Sequence, residues 1–346
     1  MTNAAGLGAT NIGVAFGGGA ARGWAHIGVL QALLEAGIRP SVVAGTSIGA
    51  VVGGCHVADR LDHLIEFARG LTRRKVFGYF DLNLSGSGLI NGERLNSVLK
   101  DALGETQIED LPIPFTAVAT EIGSGHEVWL SRGHLVDAMR ASYAIPGVFR
   151  PISLDGRWLF DGALVNPIPV TVCRALGAQY VIAVNLNSDL FGLGTVLADV
   201  NASGSEPEAG PGHNAVNGDV AESLPDALEA PGDGLTFRNG WGATRLLQRQ
   251  VFGRRRDGPD LAPSISTVMV DAFNIVHDRI ARSRLAGDPP DVMISPRLSG
   301  IGLFDFHRAD ELIERGYAAG QRVLREVSED LERTPNVQRP TVVRVG

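Results

Sequence analysis

The pentapeptide Gly45-Thr46-Ser47-Ile48-Gly49 stands between a short apolar run, Val42 to Ala44, and a helix-length apolar stretch from Ile48 to about Val57. A strand, a sharp turn and a helix in that order tightly restrict the local geometry. The serine sits on the turn, its hydroxyl projects from the sheet edge, and glycines on either side relieve the crowding between strand and helix. On these residues alone Ser47 is either a nucleophile or a cap for the helix that follows.

A second βα unit precedes it. Ile12 to Phe16 is an apolar run ending in Gly17-Gly18-Gly19-Ala20-Ala21-Arg22-Gly23, after which Trp24, Ile27, Val29, Leu30, Leu33 and Leu34 recur at helical spacing until Gly37. The glycine run does not fit G-x-G-x-x-G in either frame, because the last position is Arg22 or the middle one Ala20. It contains no phosphate-loop lysine motif either. Backbone N–H groups at a helix start suit an oxyanion as well as a phosphate, and beside a serine turn the oxyanion reading is the better one.

The third segment is Asp161-Gly162-Ala163, following the apolar Trp158-Leu159-Phe160. An aspartate at a strand end can face a site, and can equally be an ordinary turn residue. Arg22 reads as a group that neutralises a phosphate or pairs with a carboxylate, and His26, inside the first helical stripe, as a structural histidine.

Further strands are expected near Phe115–Ala119, Val128–Leu130, Trp158–Phe160, Tyr180–Leu186 and Asp291–Ile294, with helices over 265–284 and from Ala309 to about Val327. Strands alternating with helices predict an α/β fold with a mainly parallel central sheet flanked by helices. Between these parts, residues 199–237 carry eight acidic side chains and no Lys or Arg, and 240–256 interleaves arginines with Trp241, Leu246, Leu247, Val251 and Phe252. The acidic stretch reads as a flexible insertion and the basic one as an amphipathic helix suited to peripheral contact with a membrane surface. The expected organisation is a catalytic domain over 12–190, the insertion over 191–264, C-terminal helices and a strand over 265–330, and a tail over 331–346.

The net charge of −7 argues against a nucleic-acid partner, and Cys55 and Cys173 have no metal-ligand spacing. The first eleven residues lack the pattern of a signal peptide and no apolar run approaches membrane-span length, so a cytoplasmic protein, peripheral at the inner face of the membrane, is expected.

Taken together, GGGAARG (17–23), GTSIG (45–49) and DGA (161–163) resemble the patatin-like phospholipases over roughly 12–190, and the segment from about 265 to 328 looks like the C-terminal part of bacterial members of that family. The stretches Arg22 to Leu30 and Ala141 to Gly147 add to the resemblance, while Ala20 stands where many relatives have a fourth glycine. The resemblance implies a three-layer fold and a serine esterase or lipid acyl hydrolase acting through an acyl-serine. Ser47 would be the nucleophile and Asp161 the general base. Amides of Gly18, Gly19 and Ala20 would form the oxyanion hole, with Gly17, Arg22, Gly23, Gly45, Gly49 and Gly162 supporting the motifs. The substrate would be an acyl ester or phospholipid, with no metal or organic cofactor. Two alternatives are an α/β-hydrolase whose triad adds His277 or His307, and a non-catalytic interaction protein on the same fold.

Overall fold

The computed structural model describes residues 11–79, 92–189 and 265–333. The chain clusters into two units, 1–191 with 272–346 and 192–271; of the second, only 265–271 lies among the described residues. The acidic stretch and the basic 240–256 segment expected at a membrane therefore fall outside them.

In chain order the first unit runs β1 (Ile12–Phe16), a 3-10 turn (Ala20–Gly23), α1 (Trp24–Glu35), β2 (Val42–Thr46), α2 (Ile48–Val57), α3 (Leu61–Arg69), α4 (Arg73–Tyr79) and α5 (Glu93–Leu103). It continues with β3 (Phe115–Glu121), β4 (Glu127–Leu130), α6 (Leu135–Ser142), β5 (Ile152–Leu154), β6 (Arg157–Asp161), α7 (Val170–Ala175) and β7 (Tyr180–Val184). Helix α8 (Ile265–Gly287) leads into β8 (Val292–Ile294) and α9 (Ala309–Arg333).

The strands form one mixed sheet in the order β5-β6-β3-β2-β1-β7-β8, with β4 also on β3. From β3 to β8 the pairings are parallel, because each passage between those strands goes through helices. At the other end β4, β5 and β6 pair antiparallel. There the links are tight: Leu154 pairs with Arg157 across Asp155-Gly156, both at positive φ, as a two-residue hairpin requires.

Both faces of the parallel part are covered, which the strand periodicity explains. Val14, Phe16, Val43, Ile182 and Val184 enter one core, while Ala15, Val42, Ala44, Val181 and Ala183 enter the other. The first core lies under α1, α2 and α9, and the second includes Val170, Val172 and Ala281 from α7 and α8. This is the expected three-layer α/β order. Among the described residues, no helix is long and apolar enough to cross a membrane.

Candidate active site

Strand β2 ends at Thr46, α2 begins at Ile48, and Ser47 alone makes the turn, at φ 58 and ψ −126. Positive φ in a residue with a side chain costs on the order of 1–3 kcal/mol, so the surrounding structure must hold it there. A relay of two hydrogen bonds does so. The Ser47 amide donates to Ser142 Oγ at 2.8 Å, and that hydroxyl donates to the Val118 carbonyl at 2.6 Å. The flanking glycines permit the close approach: a Cβ on Gly45 would lie 2.5 Å from the Ala50 nitrogen, and one on Gly49 would lie 2.2 Å from the Phe16 carbonyl oxygen.

Asp161 reaches the same place from the opposite direction. Thr46 pairs with Val118 on β3, and Asp161, the last residue of β6, pairs with Ala119. Since β4 occupies one edge of β3 from Ala117 to Thr120, β2 and β6 must share the other. Strand β6 therefore takes up the edge where β2 turns away at Ser47. Ser47 Oγ donates to Asp161 Oδ2 at 2.6 Å, and the Ala163 amide donates to Oδ1 at 2.8 Å. Asp161 is fully buried, and burial pushes its carboxyl up to about 7, against the opposing pull of the Ser47 and Ala163 hydrogen bonds.

The glycine run turns over the serine. Gly17 donates to Val184 O at 3.1 Å, and the Gly18 amide, expected as an oxyanion donor, is already given to Pro167 O at 3.0 Å. Among the described residues no acceptor pairs with the amides of Gly19 or Ala20. Ala20 adopts φ 49, a conformation that favours glycine. Gly23 packs on Ile48 and Gly162 on the Val118 carbonyl.

Arg22 does not face solvent. It is 4% exposed, with Nε donating to Ile301 O at 3.1 Å and Nη1 to Asn187 Oδ1 at 2.7 Å. Burial lowers its pKa to about 10 in spite of Asp189 and Asp305 nearby. His26 is buried with Nε2 2.7 Å from the Gly17 carbonyl, and burial holds it near pKa 4, so the ring is neutral and donates that bond.

The family model described as patatin-like phospholipase matches residues 14–174, which contain all three motifs. An uncharacterised NTE family protein of Mycobacterium tuberculosis is 35% identical over 335 residues, covering 92% of this chain and 93% of that one. The chain belongs to the patatin-like phospholipase family. Its similarity extends to the neuropathy target esterase sws of Drosophila melanogaster, 34% identical over 184 residues, covering 51% of this chain and 13% of that protein. A patatin-like phospholipase domain-containing protein 7 of Rattus norvegicus is 34% identical over 198 residues, covering 54% and 15% respectively.

In this patatin-like chain Ser47 is among the residues lining an apolar cleft of about 110 Å³, together with Ala20, Val51, Leu99, Tyr143 and Phe306. Neither histidine of the triad alternative reaches the carboxylate. His277 lies against Asn187, with Nε2 3.2 Å from its Nδ2, and His307 Nε2 accepts from Arg73 at 3.0 Å. Both carboxylate oxygens are taken by Ser47 and Ala163. Among the described residues, no group of three His, Cys, Asp or Glu side chains is arranged to hold a metal ion. Ser142 and Asn187 were not singled out by sequence; both are buried polar residues, and Asn187 follows the all-apolar run of β7.

Proposed function

We propose that this protein is a serine lipid acyl hydrolase, of phospholipase or lysophospholipase type, in which Ser47 and Asp161 suffice as the reacting pair. The observation that carries the reading is the 2.6 Å hydrogen bond from Ser47 Oγ to Asp161, beside an apolar cleft that Ser47 helps to line.

Asp161 accepts the hydroxyl proton as Ser47 Oγ attacks the ester carbonyl. The amides of Gly19 and Ala20 stabilise the tetrahedral oxyanion. On collapse, the proton passes from Asp161 to the departing alcohol, leaving an acyl-serine. Water then attacks, giving its proton to Asp161, and the second collapse releases the fatty acid and returns the proton to Ser47. A carboxyl poised near neutrality suits both directions of transfer. The protein meets its lipid by a peripheral approach to a membrane surface.

Labelling with a fluorophosphonate probe tests this. Wild type should react and Ser47→Ala should not, while equal labelling of both would remove Ser47 from the chemistry.

A further inference from the structure

Asn187 lies just beyond β7 and is 5% exposed. Its side chain is fully engaged: Oδ1 accepts from Arg22 Nη1 at 2.7 Å, and Nδ2 donates to the Gly18 carbonyl at 3.2 Å and lies 3.2 Å from His277 Nε2. Arg22 has donors only, so the amide oxygen must face it and the NH₂ group must face Gly18. Burial, and secondarily Arg22, holds His277 near pKa 4, leaving a neutral ring that can accept the second amide hydrogen.

In a trans peptide the carbonyl of one residue and the N–H of the next point in opposite directions. The Gly17–Gly18 peptide is held at both ends, by His26 on its carbonyl at 2.7 Å and by Pro167 on its N–H at 3.0 Å. The Gly18–Gly19 peptide is held at its carbonyl end by Asn187, while among the described residues its N–H has no acceptor. A peptide between two glycines meets little steric resistance to rotation. Turned over, it would present a carbonyl oxygen where a donor is needed.

We infer that Asn187 is a positioning residue, locking the Gly18–Gly19 peptide with its N–H toward the oxyanion while Arg22 fixes the orientation of the Asn187 amide. The inference rests on the proposed roles of Ser47 and Gly19. Asn187 is not among the residues lining the cleft and its hydrogen bonds do not include Ser47; it acts through the backbone.

Asn187→Asp tests it, because the variant keeps the size and the Arg22 partner but cannot donate to Gly18. For p-nitrophenyl butyrate, kcat should fall about 10²–10³-fold, as for loss of one oxyanion donor, with KM nearly unchanged. A trifluoromethyl ketone, which adds Ser47 Oγ to form a tetrahedral oxyanion, should weaken by a similar factor. The corresponding secondary alcohol, which cannot add, should bind as to wild type. If Asn187→Asp fails to fold, Asn187→Ser, too short to reach Gly18, should show the same split. The lock is overturned if kcat stays within about threefold of wild type, or if ketone and alcohol lose affinity equally. Ser47→Ala run in parallel separates the two claims. If it is inactive while Asn187→Asp is normal, only the lock falls; if it keeps wild-type turnover, the nucleophile reading falls and takes the lock with it.

Discussion

Thr46 and Asp161 lie in succession along one edge of β3, opposite Val118 and Ala119, although 115 positions separate them in the chain. Parallel β2 and antiparallel β6 approach that edge from opposite directions. The serine that leaves the sheet after Thr46 therefore meets the carboxylate that ends β6. Removing either should stop the chemistry and spare the fold. Ser47→Ala and Asp161→Asn are each expected to abolish hydrolysis of a short p-nitrophenyl ester with circular dichroism matching wild type. Wild-type turnover in either folded variant contradicts the pairing.

The buried carboxyl sets a pH dependence. Asp161 must be ionised to take the serine proton, so kcat/KM should rise with pH through about 7 and level off above it. A profile flat from pH 5 to 8 would exclude Asp161 as the base.

Stability should run the other way. With a folded pKa near 7 against a reference of 3.8, the folded state keeps a proton that the unfolded state has lost. Stability therefore falls as pH rises between those values, by up to roughly 4 kcal/mol. Asparagine carries no charge to bury. Asp161→Asn should melt above wild type at pH 8, with the gap closing by pH 4; a gap that is constant with pH would refute the buried-charge account.

Much of this architecture was legible in the sequence, for identifiable reasons. Buried strands such as Ile12–Phe16 and the helix Ile48–Val57 are continuous apolar runs with glycine punctuation. Strand β5 was missed because it is three residues long and only partly buried, although Asp155-Gly156 is a hairpin signal. The Asp161 motif could be seen, but its place beside Ser47 depends on β6 joining β3, a long-range pairing that no local pattern records. Gly18 looked like a donor because the motif says nothing of Pro167. Asn187 was invisible for a related reason: its partners, Arg22, Gly18 and His277, come from distant parts of the chain.

Histidine dependence separates the pair from a triad. His277→Gln and His307→Gln should each change turnover by less than about tenfold, whereas loss of a triad member costs on the order of 10⁴. A loss of that size at either position would require a different base.

The glycine seam between α1 and α9 makes a purely structural prediction. A Cβ on Gly28 would lie 1.9 Å from the Ile313 carbonyl oxygen, and one on Gly316 would lie 1.9 Å from that of Ala25. The helix backbones touch there, so relief requires moving a whole helix. Gly28→Ala and Gly316→Ala should each destabilise by about 1–3 kcal/mol in urea titration, and unchanged midpoints would show that the helices can separate without penalty.

The most direct test of the central claim is to trap the covalent intermediate. Protein mixed with p-nitrophenyl butyrate, quenched in acid during the first turnover and digested, should carry a butyryl group on the peptide containing Ser47 and nowhere else. Release of p-nitrophenol with no acyl group on Ser47, or with the group on another residue, would contradict the account.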